Sequence, residues 1–282
     1  YNAYDIMDYV SIGSTGNATD FGDLTSPRAH CAGCASATRG ITGGGLTTGS
    51  ATTGQDFIDY ITIASTGDGT DFGNLSQARN SAASCNSSTR GIFLGGRVGL
   101  GSTVNTIDYI TIASAGDATD FGDNNNTVMQ AGGTSSSTRG VFGGDYDGLD
   151  IMSYITIGST GDATDFGDLS VGRHGVGAFS NGTRGVFGGG TLSSGHNSNV
   201  IDYITIASTG NATDFGDITS ARQDSAGASS STRGIFAGGG TSPRLDIMDY
   251  VTISSTGNAT DFGDLTQARN ALSGMSNANG GL

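Results

Sequence analysis

The sequence predicts an all-β fold assembled from six copies of one unit, and three observations carry that prediction. A sixteen-residue phrase, "DYITIASTGNATDFGD" at 202–217, recurs in close copies at 8–23, 59–74, 108–123, 153–168 and 249–264. Its tyrosines, Tyr9, Tyr60, Tyr109, Tyr154, Tyr203 and Tyr250, stand 51, 49, 45, 49 and 47 residues apart. A β-solenoid coil takes roughly 20–30 residues, whereas a four-stranded propeller blade takes about 40–50. The chain also holds 50 Gly, 2 Pro and no Trp, every basic residue being Arg and every acidic one Asp, so the long straight-chain helix formers Lys and Glu are missing. Residues 1–282 therefore read as a single six-bladed β-propeller of four-stranded blades.

Each unit divides into four extended stretches. "NVIDYITIAS" (199–208) has apolar side chains pointing both ways, as a strand covered on both faces requires. "TG[ND]" supplies the positive φ of a tight hairpin, and "ATDFGDI" (212–218) follows it as the next strand. "ARQDSAGAS" (221–229) carries small side chains that suit a crowded position near an axis. "TRGIFAGGG" (232–240) closes the unit, its glycines stopping the strand. The chain opens on a third strand (Asp5–Ile12) and finishes after a first strand (Asn270–Met275), so the ring is expected to close in a blade shared by both ends. In that blade the second strand is nearly absent, because "NANGGL" (277–282) stops where "TRGIFAGG" should begin. With no initial Met, the chain reads as part of something longer.

At these positions the unit resembles the kelch repeat, in which a glycine pair closes one strand, a tyrosine marks the next, an aromatic the fourth, and an Arg opens the following blade. The matching residues are Gly238-Gly239, Tyr250, Phe262 and Arg269 in one unit, and Gly189-Gly190, Tyr203, Phe215 and Arg222 in another. Phe stands where kelch units usually carry Trp, and Val128 replaces the Arg of the third unit. The phrase itself is similar to repetitive proteins of marine tailed phages assigned to tail or fibre structures. That resemblance implies a virion, extracellular setting.

The formal charge of −14 opposes a nucleic-acid or anionic-membrane surface, and no apolar run approaches the roughly 20 residues of a membrane-spanning helix. Cys31 and Cys34 form a C-x-x-C within a strand, whose ends are too far apart to bridge, and no second pair completes a zinc site. Cys34 and Cys85 share a repeat position with Phe179, Ala228 and Met275 and read as core.

Several motifs look chemical. Asp-Phe-Gly occurs six times, yet the kinase use of that tripeptide needs a lysine the chain lacks. Its aspartates, Asp20, Asp71, Asp120, Asp165, Asp214 and Asp261, are expected to pair between blades with the T-R-G arginines Arg39, Arg90, Arg139, Arg184 and Arg233. Asn-Ala-Thr sequons at 17–19, 211–213 and 258–260 lie in the repeated hairpin and read as turn chemistry. Six-bladed sialidases use a Tyr–Glu pair that a chain without Glu cannot assemble, and repeated aspartates offer no distinct acid and base to another glycosidase. His30, His174 and His196 have no adjacent nucleophile pattern. A glycan-processing enzyme is thus the remote alternative, and no catalytic residue is assigned. Asp145, Asp147 and Asp150 in "GGDYDGLD" surround a glycine as Ca²⁺ ligands could, without the remaining ligands of an EF-hand.

The connection from the second to the third strand differs in every unit, from "GGGLTTGSATTGQDF" to "GGGTSPRLDIM", while "STG[ND]AT" and "SSTRG" barely change. One face of the propeller is therefore individual and the other monotonous, and recognition usually lives on variable loops of a rigid scaffold. Arg97, Tyr146, His196 and Arg244 are the leading contacts, with a host-surface glycan or protein as partner. The competing reading is a structural module that packs against copies of itself or other virion proteins.

Overall fold

The computed structural model describes residues 3–47, 53–99, 101–240 and 242–277, and among these no residue is helical. Five four-stranded antiparallel sheets are arranged as the blades of a propeller. Their second strands, Arg39–Gly43, Arg90–Leu94, Arg139–Gly143, Arg184–Gly188 and Arg233–Ala237, each lie between a four-residue first strand and the Tyr-bearing third strand. The fourth strand of each blade carries Asp-Phe-Gly.

The expectation of six blades is corrected to five. The first copy of the repeated phrase forms only a two-stranded sheet, β1 (Tyr4–Tyr9) with β2 (Thr19–Arg28). Near the other end, 270–277 adopts no strand, and 278–282, where a second strand was expected to begin, lies outside the described residues. The physical reason is a missing ladder partner. "TRG" occurs five times in the sequence against six copies of Asp-Phe-Gly, and among the described residues one unit has no second strand to bridge its inner and outer parts.

The repeated phrase is an interface. In each of the six units a register shift opposite the conserved Phe makes a bulge: Ile58 faces Gly73 and Asp59 faces Asp71, leaving Phe72 as the extra residue. Its carbonyl then accepts from the Gly116 amide of the next unit at 2.7 Å, and the Asn74 carbonyl accepts from Ala118 at 2.7 Å. The same pair of bonds joins every unit to its neighbour, and Gly16 to Phe262 at 2.8 Å joins β1–β2 to the fifth blade. The Asn or Asp of "TG[ND]" accepts a further neighbouring amide, as Asn211 Oδ1 does from Asp168 and Asn258 Oδ1 from Asp217, both at 3.1 Å. The sequon asparagines are thus engaged between units. The glycine of Asp-Phe-Gly permits the approach: a Cβ on Gly216 would lie 2.5 Å from the Gly257 carbonyl oxygen, and its φ is +145°.

Deeper in, five buried ion pairs cross the seams. Arg79 meets Asp108 at 2.9 Å, Arg173 meets Asp202 at 3.0 Å, Arg222 meets Asp249 and Arg269 meets Asp8 at 2.8 Å, and Arg28 meets Asp59. Each carboxylate also accepts the hydroxyl and amide of a Ser or Thr three residues before its Arg, as Ser170 does for Asp202. Buried charges persist when paired and hydrogen-bonded in this way. In the third unit all three partners change together, to Asn125, Val128 and Ser153, which line a cavity of about 40 Å³.

The aspartates and arginines expected to pair do not meet. Asp20, Asp71, Asp120, Asp165, Asp214 and Asp261 are exposed, and none forms an ion pair among the described residues. Arg39, Arg90, Arg139, Arg184 and Arg233 instead cover the rings of Tyr60, Tyr109, Tyr154, Tyr203 and Tyr250 at 4.1–4.6 Å. Each also donates to the carbonyl of an isoleucine in the next unit, from Arg39 to Ile112 round to Arg233 to Ile12. They do tie unit to unit, through backbone acceptors. Hydrophobic cores fill the seams between these ties, Phe93, Ile110 and Ile112 of the second blade packing onto Ile41, Ile58 and Phe72 of the first.

Arg173→Ala should strand a buried carboxylate and destabilise the protein by roughly 3–5 kcal/mol, whereas Asp214→Ala should change stability by about 0.5 kcal/mol or less. The double change Arg173→Val with Asp202→Ser, copying Val128 and Ser153, should cost less than Arg173→Ala alone. Chemical denaturation of the three variants checks this ordering.

Candidate functional site: the variable-loop face

The residues two positions after the five seam arginines, and after Val128 in their place, surround the propeller axis. His30, Ser81, Gln130, Asp224 and Ala271 have φ between 55° and 58°, and Gly175 completes the set at 64°. Their backbones form a closed ring of six hydrogen bonds of 2.8–3.0 Å, each amide donating to the carbonyl of the preceding unit. The left-handed conformation costs a non-glycine residue roughly 1–2 kcal/mol, and the ring bonds offset that strain. Five side chains are thereby gathered at one mouth of the axis.

The variable connections assemble around this ring. Arg97 exchanges backbone bonds with Asn80, the Tyr146 amide donates to Met129, Arg173–His174 pairs with Thr191–Leu192, and the Gly240 amide donates to Gln223. The connection of the first blade does the same through Leu46 and Ala29, though 48–52 within it lies outside the described residues. At the other end of the blades, the conserved turns meet the ends of the third strands, as when Ile112 donates to Thr89.

Side chains from several units converge on the mouth. Gln130 Nε2 donates to Asp224 Oδ1 at 3.1 Å, passing over Gly175, and Gln223 Nε2 donates to Asp224 Oδ2 at 3.0 Å. Thr191 Oγ1 hydrogen-bonds Gln223 Oε1, extending the chain to the loop of the fourth blade. His30 is buried at 8% exposure. Desolvation lowers its pKa, and Asp224 opposes the shift. The His174 pKa is likewise lowered by burial, against Asp224 and Asp145.

The expected contact residues fall on four successive loops. Tyr146 is 52% exposed and its ring lies 4.9 Å from that of His174. Its neighbour Leu149 is 46% exposed. Gly148 of the same loop packs onto Ser193, and His196 Nδ1 lies 3.3 Å from Ser194 Oγ, so Tyr146 and His196 stand on touching loops. Arg244 approaches the Tyr4 hydroxyl at 3.5 Å, and Arg97 is half-buried in a hairpin with Ser102–Thr103. Gln130, Gln223 and Asp224 have no place among the sequence's candidates, and His174 figures there only as a histidine without an adjacent nucleophile pattern. Their signal was position: each follows a seam residue by one or two places.

The three carboxylates of the acidic loop do not converge on one point in this structure. Asp145 turns inward, accepting the Met129 amide at 3.2 Å, while Asp147 and Asp150 are exposed. No group of three His, Cys, Asp or Glu side chains converges to hold a metal among the described residues. The axis itself is narrow, with a cavity of about 70 Å³ lined mostly by small residues, with Phe179 and Met275 among them. Its serine hydroxyls are spent on carbonyls of the adjoining strand, Ser135 on Asn86, Ser180 on Ser135 and Ser229 on Ser180 at 2.6–2.7 Å. Cys34 is buried there, its thiol pushed up to about 12, and all three cysteines are free. No family model matches the chain, and no curated protein matches it.

Because His30 and His174 have lowered pKa values in the folded state, their contribution to stability is present above the ordinary value of 6.5 and lost as pH falls below it. Melting temperature should decline from neutral pH to about pH 5. The His30→Asn, His174→Asn double variant should show a shallower decline, measured by thermal unfolding across that range.

Proposed function

We propose that this protein is a non-catalytic binding module whose variable-loop face engages a host-surface glycan or protein, in the setting of a phage tail or fibre. The kelch-like spacing of glycines, tyrosine, phenylalanine and arginine supports a scaffold role for the repeat. The phage-like wording of the phrase supports the virion setting. The observation that carries the reading is the patch where Tyr146, its ring tilted against that of His174, lies on a loop packed against the one bearing Ser194 and His196. An exposed aromatic face beside hydroxyl and imidazole groups suits a sugar ring or a peptide, since one surface offers stacking and the other hydrogen bonds.

The partition of arginines agrees with this. Five are held in seam ion pairs and five over tyrosines, so of the 12 in the chain only Arg97 and Arg244 stand in variable loops. A self-packing module is the second reading, favoured by the edge of β1, which among the described residues pairs only with β2. Glycan-array and cell-binding assays on the intact chain should detect binding that Tyr146→Ala with His196→Ala reduces by about tenfold or more, at unchanged melting temperature. Arg97→Ala and Arg244→Ala should each have a smaller effect. Binding unaffected by all four substitutions would reject the loop face.

A further inference from the structure

A second candidate site lies in the first unit, between the first and fifth blades. In each of the five blades the third strand is covered on its inner edge by a second strand beginning Arg-Gly. β1 occupies the third-strand position of the first unit, and among the described residues it pairs only with β2. A cleft of about 750 Å³ opens along that edge, between β1, the first blade and the segment 271–277.

The walls of this cleft show what it is shaped to receive. Ile61 and Ile63 of the first blade are only partly buried, although their repeat partners Ile110, Ile112, Ile155, Ile157, Ile204, Ile206, Val251 and Ile253 are all at most 3% exposed. Met7 is partly buried, where Ile58, Ile107, Met152, Ile201 and Met248 are at most 1% exposed. Tyr9 is 46% exposed and is the one repeat tyrosine with no guanidinium over its ring among the described residues. Arg39, Arg90, Arg139, Arg184 and Arg233 donate to Ile112, Ile157, Ile206, Ile253 and Ile12, which leaves the Ile63 carbonyl as the sixth acceptor of that kind. Among the described residues, backbone edge, tyrosine ring, carbonyl and apolar wall all lack the same neighbour.

We infer that this cleft is a strand-acceptor site for an extended peptide segment from outside residues 1–282 that reads Thr-Arg-Gly-aliphatic-Phe. The segment adds one antiparallel strand to β1, as peptides do when they extend a sheet edge. Its arginine covers Tyr9 and donates to the Ile63 carbonyl, and its aliphatic residue covers Ile61 and Ile63. Its glycine is required where the neighbouring units are tight: a Cβ on the equivalent Gly40 would lie 2.2 Å from Met275 Sδ. A second copy of this chain is a poor donor, because all five of its T-R-G strands are already paired on both sides. The site is independent of the loop face and stands or falls separately from it.

The test uses the intact chain and a synthetic peptide with the sequence of residues 230–240, SSTRGIFAGGG. Calorimetric titration should show saturable one-to-one binding and a raised melting temperature. A peptide with Arg→Ala and Ile→Asp should bind at least about tenfold more weakly, as should the wild-type peptide to the Ile61→Asp variant, whose fold is checked by circular dichroism. Tyr146→Ala should leave peptide binding unchanged. No saturable binding, or equal binding of a scrambled peptide, would overturn the inference. So would a dimer that the peptide fails to dissociate, since that would assign the cleft to a second copy.

Discussion

The structure depends on a backbone contact: the Gly-Asn/Asp hairpin of each unit docks against the bulge carbonyl of the unit before it. One phrase supplies both halves of that contact, with the donor hairpin in "STG[ND]" and the acceptor bulge in "DFG". An interface of this head-to-tail kind generates a ring when its rotation closes. Both halves must be kept in every copy, and this is why sixteen residues recur six times while the intervening connections drift. The glycines are fixed for the same reason, since a side chain on Gly216 would enter the carbonyl of Gly257.

The seam ion pairs refine this contact. Each combines a buried guanidinium with a carboxylate that accepts from both an arginine and a Ser or Thr, so the charge is compensated. Removing one partner is costly, and removing all is tolerable, which the third unit demonstrates with Asn125, Val128 and Ser153. That coordinated loss marks the three positions as one functional group.

Much of this was legible in the sequence. The strand unit, the blade length and the division into constant and variable connections follow from periodicity and turn residues. The number of blades was misjudged because copies of the tyrosine phrase were counted, when the limiting element is the T-R-G strand, present five times. The partner aspartates were misassigned because Asp214 lies at the exposed side of a bulge that period-two alternation does not foresee, whereas Asp202, directly beside Tyr203, is buried. The joint substitution in the third unit was a usable clue within the single sequence. The axial ring was not legible, since nothing in His30, Ser81, Gln130, Gly175, Asp224 and Ala271 looks alike; backbone conformation alone unites them.

A scaffold stitched at both rim and axis leaves its variable loops free to differ without loss of the fold. The central claim is that the repeated hairpins are stitches between units and that the ring opens only as a whole. Native-state hydrogen exchange measures it most directly, at the amides of Gly67, Gly116, Gly161, Gly210 and Gly257. The account predicts that all five exchange with the free energy of global unfolding. Exchange of these amides at the rate of solvent-exposed turns, while the second strands stay protected, would contradict it.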